Sequence, residues 1–354
     1  MNTDRKDIVV NESKERNACF DIARGVAIIL VMYAHSCGMP FKITQYIIAF
    51  YMPLFFIIGG YFWHNNTGFF DYLKKKSKRI LVPYFGASVF LYLLFMLFGW
   101  MNENRVLSFW GVFYSTYAFY APVSTENNLL LFTIDNAPMW FLTTYFCSLI
   151  LMYFYVKITE GSRIKKIAAA LVLLFAAYAL SFLPIYLPWG CDIAFLGAFF
   201  MAFGKEARYI NRKLPHPWLA GVFLFVIYCI IVNINSNPNM STRAYGDFMY
   251  FDIILFAFTG IVGSDFLIRA SRLLENNLIG RVFALVGKNS MTLLMFHLVV
   301  FRMLNSVYDI SGLFGGKYLR ALGTVRIAAA CIIILSIKRV LFLGLNYGRE
   351  KIGK

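Results

Sequence analysis

The residues best suited to chemistry in this 354-residue chain stand eleven positions apart, in the stretch DIARGVAIILVMYAHS (21–36). Arg24 and His35 both lie in a run that is otherwise apolar enough to sit in lipid. On an α-helix eleven residues turn through roughly 1100°, about 20° past three full turns, so the two side chains share a face and stand about 16 Å apart along the axis. Asp21 lies one turn before Arg24, placed to pair with it. Charge is costly in a bilayer, so this face must line protein or a water-filled interior. Imidazole is a base near neutral pH, and guanidinium is a planar fork for anions. The pair therefore suits proton abstraction at one end of a helix and recognition of phosphate or carboxylate at the other. Taken singly, Arg24 could instead snorkel and His35 could be a hydrogen-bonded core histidine.

Such a helix needs a bundle around it. The chain is 60% hydrophobic and 15% charged, whereas a soluble domain is about half apolar and about a quarter charged. Apolar stretches predict ten spans, near 19–38, 44–63, 80–99, 138–156, 166–183, 187–204, 218–234, 247–268, 289–306 and 321–337. The ninth is the softest, because 281–288 is also fairly apolar. The expected fold is an all-α polytopic membrane protein of about ten transmembrane helices. A cytosolic tail (1–18) precedes the transmembrane domain (19–337), and a basic cytosolic tail (338–354) follows it. The first 18 residues are polar and charged, unlike a cleavable signal peptide.

The net charge of +16 is patterned rather than spread. With the N-terminus inside, the inner segments hold 26 lysines and arginines and the outer ones 5; Arg24, Arg302 and Arg326 fall within spans. That asymmetry predicts both termini in the cytosol, Arg24 near the inner end of its helix and His35 near the outer end. It also explains the basic residues as topology signals rather than a nucleic-acid surface. The connection 100–137 is then outside, and its aromatic stretch SFWGVFYSTYAFYAP suits lying on the membrane or re-entering it. Six cysteines are scattered without a CxxC, so neither a disulfide frame nor a metal site is expected. GRVFALVGKNS (280–290) has the wrong glycine spacing for a phosphate loop, and HExxH, GxSxG and GxGxxG do not occur.

Arginine, ten residues, then histidine resembles the hallmark of the acyltransferase 3 family of membrane acyltransferases, and Arg24 and His35 fit it. FYMPLFFIIGGYF (50–62) is similar to the family's FHMPLFFFISGYF, and KKKSKRILVPYF (74–85) to its basic run before proline. APMWFLTTYF (137–146) resembles its Trp-Phe-Leu motif. LPWGCDIAFLGAFFMAFG (187–204) and LVGKNSMTLLMFHLVV (285–300) resemble segments of the branch that includes fucose O-acetylases. The resemblance covers about 19–305. Two positions depart from it: Tyr51 stands where relatives often have histidine, and Gly59 where many have serine. A tyrosine is no base near neutral pH. The chain is expected to be the membrane module alone, without the hydrolase-like domain of longer members.

The resemblance implies transfer of an acyl group, usually acetyl from acetyl-CoA, to a hydroxyl of a cell-envelope sugar or glycan, in the plasma (cytoplasmic) membrane. Acyl-CoA is then a donor substrate rather than a resident cofactor; the other partners are a saccharide acceptor and the lipid bilayer, with no nucleic acid. On this reading His35 is the catalytic base and Arg24 serves the donor. Lys78 and Arg79 either bind CoA phosphates or only mark topology. Asp192 sits about as deep in its span as His35 does; if those spans touch it orients His35 or holds the acceptor, and otherwise it partners another span. Trp140 suits stacking on a sugar or an interfacial position. Asp252 and Arg302 are further acceptor-side positions, Arg302 being equally able to snorkel. His297, mid-span, reads as a helix–helix hydrogen-bonding residue that could alternatively meet substrate. His64 and His216 fall in inner loops. The rival reading is an exporter or flippase of a glycan or lipid-linked saccharide, against which the lack of a visible internal repeat counts.

Overall fold

Each of the ten expected spans overlaps a helix in the computed structural model, which describes residues 18–36, 41–99, 105–116, 119–124, 127–132, 137–210, 217–236, 238–246, 252–307 and 319–352. In chain order the helices are α1 (Ala18–His35), α2 (Phe41–Tyr61), α3 (Phe69–Leu97), α4 (Arg105–Tyr114), α5 (Trp140–Thr159), α6 (Arg163–Ser181), α7 (Cys191–Ile210) and α8 (Pro217–Ile234). They continue as α9 (Asp252–Arg272), α10 (Leu278–Lys288), α11 (Ser290–Val307) and α12 (Leu319–Ile352). Six of them, α1, α2, α3, α5, α6 and α9, are each long and apolar enough to cross a bilayer. The soft ninth span is a bent pair: α10 and α11 meet at an 82° break around Asn289 and together have the length of one span. The described residues are thus overwhelmingly helical. The departure is an antiparallel hairpin, β1 (Phe119–Ser124) with β2 (Asn127–Phe132), in the connection where no strand was expected.

The bundle buries its core around Met32, Phe56, Phe200 and Phe256. Its apolar surface lies on α3 (Phe90, Leu93), α6 (Val172, Phe175), α8 (Val222, Phe223) and α12 (Ile332). Apolar side chains both inside and out are what a lipid-solvated bundle requires. Small residues allow the helices to approach closely. A Cβ at Gly25 of α1 would overlap the Phe283 carbonyl of α10, and one at Gly287 would overlap the Asp21 carbonyl. α2 and α7 meet in the same way, through Gly60 against Met201 and Gly204 against Ile57. Where lipid supplies no hydrophobic drive between helices, such backbone contact is a principal source of association.

α1 is fastened at both ends, which fixes the residues it carries. Glu275, between α9 and α10, accepts a hydrogen bond from the Cys19 amide at 2.9 Å, placing a carboxylate at the positive helix start. At the other end Arg326 of α12 donates to the Ser36 carbonyl at 3.1 Å, and Tyr33 and Thr324 share a 2.7 Å hydroxyl contact. The intramembrane cation Arg326 thereby finds a carbonyl partner at a helix C-terminus.

Candidate active site

One face of α1 opens into two cavities, one toward each end. Arg24 and Ile28 line a cavity of about 440 Å³; Val31, Ala34 and His35 line another of about 210 Å³. The spacing 24, 28, 31, 35 is one helical stripe, as the expected shared face of Arg24 and His35 requires. Met52 of α2 and Leu294 of α11 line both cavities, so the two share a wall.

The larger cavity is cationic. Five basic residues line it: Arg24, Lys76 and Arg79 of α3, Lys288 at the end of α10, and Lys338 of α12. No acidic residue is among the described residues that line it. Arg24 reaches back to Asp21 at 3.3 Å, as its spacing predicted, and lies over the Phe62 ring with its guanidinium carbon 5.7 Å from the centroid. Lys338 donates to Asn289 at 2.7 Å and to Thr292 at 3.1 Å, tying α12 to the break between α10 and α11. The first residues of α11 (Ser290, Met291, Thr292) also face this space, adding the positive end of a helix dipole. Gly59 lines it as well. A Cβ there would overlap the Tyr145 hydroxyl, so the tyrosine occupies the room a serine at this position would need.

Lys78, expected with Arg79 on the donor side, does not join this group. It is exposed and does not line the cavity, whereas Lys76 does. Two residues along a helix turn about 200°, so Lys76 and Lys78 face opposite ways, while Arg79 follows Lys76 by about 300° and shares its side.

The smaller cavity mixes polar and apolar side chains, and among the described residues that line it only His35 and Tyr51 are ionisable. His35 and Trp140 meet there with Thr44, Tyr51, Asn239 and Ser241. Trp140 is 4% exposed, an inward-facing side chain rather than an interfacial one. Tyr51, the departure from the family pattern, lies in the same space as His35 and supplies a hydroxyl rather than a second imidazole. Behind His35, outside the lining of either cavity, stands His297 of α11. It is fully buried, and its ring centroid is 5.5 Å from that of His35.

Three other sequence-predicted residues lie elsewhere. Asp192 does not orient His35: its carboxylate pairs with Arg243 at 3.0 Å, with side-chain exposures of 0% and 7%. The same carboxylate accepts from the Ile193 amide, and Arg243 also donates to the carbonyls of Leu180, Leu183 and Ile185. This is a clasp between the α6–α7 connection and the segment after α8. Desolvation forces so deeply buried an arginine to take an ionic partner, which is why Asp192 is committed. Asp252 accepts from the Ile253 amide at 2.6 Å at the start of α9, and lines neither cavity. Arg302 lies over the Phe95 ring, 5.0 Å from its centroid, again outside both. His64 is exposed, and His216 lies outside the described residues. Residues the sequence did not single out, Lys288, Lys338, Thr44, Asn239 and Ser241, come from elements that only the tertiary fold brings together. For Lys76 a signal existed, its one-turn spacing from Arg79.

A family model described as an acyltransferase domain matches residues 17–338, a span that takes in every residue of both cavities. No curated protein and no solved structure is significantly similar to the chain.

Proposed function

The chain belongs to the acyltransferase 3 family and is an integral, multi-pass membrane acyltransferase, and we propose that it moves an acetyl group from acetyl-CoA to a hydroxyl of a cell-envelope saccharide. The observation that carries this reading is the pair of cavities sharing the wall of Met52 and Leu294, one with five cations and the other with His35. A donor that ends in phosphates and reacts at the far end of a long neutral arm needs such a division. Charge-assisted hydrogen bonds from Arg24 and its neighbours hold the phosphates, and the arm passes Met52 and Leu294 to present its thioester at His35. The acceptor's uncharged hydroxyls suit the Thr44, Asn239 and Ser241 side, with Trp140 as a stacking surface for a sugar.

The reaction then follows from His35. Its neutral imidazole takes the proton as the acceptor oxygen attacks the thioester carbonyl carbon. The C–O bond forms, the tetrahedral adduct collapses, the C–S bond breaks, and the imidazolium returns the proton to the departing thiolate. The products are the acyl ester and free CoA. We further propose that the protein sits in the plasma membrane with ten spans and both termini cytosolic, as the 26-to-5 distribution of basic residues favours. The cation-lined cavity then faces the cytosolic CoA pool and His35 the outer side. Analysis of cell-surface glycans with and without the gene tests the reading. An acyltransferase changes their acetyl content at constant amount; an altered amount with unchanged acetylation would instead favour an exporter.

A further inference from the structure

His297 is buried to 0% exposure on α11, beside His35 but behind the cavity that His35 lines. Its Nδ1 lies 2.9 Å from the Leu293 carbonyl and 3.0 Å from the Leu294 carbonyl. Carbonyl oxygens only accept, so Nδ1 carries the hydrogen. In the neutral ring Nε2 is therefore a lone-pair acceptor. It is fully buried and has no hydrogen-bond partner among the described residues. A buried acceptor left unsatisfied costs about 1–3 kcal/mol, so a specific one calls for an explanation.

The neighbouring ring supplies it. Two imidazoles joined by one N–H···N bond have centroids roughly 5–5.5 Å apart, since the bond spans about 3 Å and each ring adds about 1.2 Å on either side. The His35 and His297 centroids are 5.5 Å apart, with ring planes inclined at 46°. Resting enzymes often hold such contacts slightly long and tighten them when substrate binds.

We propose that His297 is the positioning residue for His35: its Nε2 accepts one ring N–H of His35, which fixes the tautomer and leaves the other nitrogen facing the acceptor hydroxyl. The backbone anchors of His297 hold its own tautomer in turn. When His35 takes the substrate proton it becomes a double donor, and the His297 lone pair stabilises the imidazolium. A second histidine thus fills the orienting role that Asp192, committed to Arg243, does not. The inference rests on the proposed role of His35 as base.

The test uses membrane vesicles carrying the full chain, with radiolabelled acetyl-CoA as donor and incorporated label as the readout. Glutamine places its carbonyl where Nε2 stands, whereas asparagine reproduces the Nδ1 donor. If His297 orients His35, His297→Phe lowers the maximal rate at least tenfold with an unchanged KM for acetyl-CoA. His297→Gln then recovers several-fold over His297→Asn, and His297→Phe costs nothing further in a His35→Ala background. The unchanged KM also reports that the variants are folded. A purely structural His297, needed for its Nδ1 bonds, reverses the order, with Asn better than Gln. That order, or a loss confined to KM or to folded protein, overturns the inference and leaves His35 as base. Full activity of His35→Ala would instead overturn the base assignment itself, and this inference with it.

Discussion

The two ends of α1 face spaces of opposite character. Around Arg24 the lining brings five cations from four helices, in about 440 Å³. Around His35 it brings hydroxyls, an amide and an indole, in about 210 Å³. The first environment favours a multiply charged anion at almost any orientation, because converging cations act at a distance. The second has no such field and discriminates by hydrogen-bond geometry and shape. A single chemical group could not satisfy both. A bisubstrate reaction can, with an anionic donor anchored at one end and a neutral acceptor chosen at the other. The contrast also explains the different support each residue receives. Arg24 leans on its own helix through Asp21, while His35 sits against a histidine of another helix. An anchor tolerates play, and a base must be aimed.

Substitutions that strike one end only can break this contrast. The largest effect is expected from His35→Ala, which should lower the transfer rate by about 10²–10⁴-fold, with acetyl-CoA protection against thermal unfolding retained. Loss of that protection would place the donor at the wrong end. Arg24→Lys keeps the charge but loses the fork; donor affinity should fall roughly ten- to hundredfold, the equivalent of one charge-assisted hydrogen bond of about 1.5–3 kcal/mol, with saturating rates largely kept. Met52→Phe thickens the shared wall and should cut transfer roughly tenfold, about 1.4 kcal/mol in the barrier, while titration of donor binding stays near wild type. The smallest and sharpest comparison is Lys76→Ala against Lys78→Ala. The first should raise the acetyl-CoA KM several-fold and the second should leave it unchanged, because only Lys76 faces the cavity. Equal effects would mean that net charge near the membrane, not the cavity, governs the donor.

What the sequence disclosed followed from whether a signal was local. The stripe of Arg24 and His35 needed only helical periodicity, and the ten apolar runs needed only their lengths. The side of α3 that matters was harder, since with five basic residues in six positions (74–79) the one-turn spacing of Lys76 and Arg79 does not stand out from its neighbours. The break at Asn289 had only the short polar cluster Gly287–Ser290 to mark it, between the apolar stretches on either side, and that cluster does not give the 82° angle. For Asp192 the choice between orienting His35 and partnering another segment was not legible, for a different reason. Its partner Arg243 counted as an outer-loop cation, and only the fold shows that the Arg243 side chain is buried against it. Lys288 and Lys338 were equally hidden: they line one cavity only because the last helix packs at the bend, where Lys338 reaches Asn289, 49 positions away in sequence.

The central claim is that the donor enters beside Arg24 and that its acyl group is delivered at His35, at the other end of α1. Sealed vesicles of known orientation, from cells making the full chain, test it when radiolabelled acetyl-CoA is supplied only to the medium. Inverted vesicles, with the cytosolic face outward, should incorporate acetyl label into material enclosed in the lumen. Right-side-out vesicles should incorporate none, and His35→Ala should abolish incorporation in the inverted ones. Incorporation by right-side-out vesicles, or into material on the face to which acetyl-CoA was added, would contradict delivery across the bilayer from Arg24 to His35.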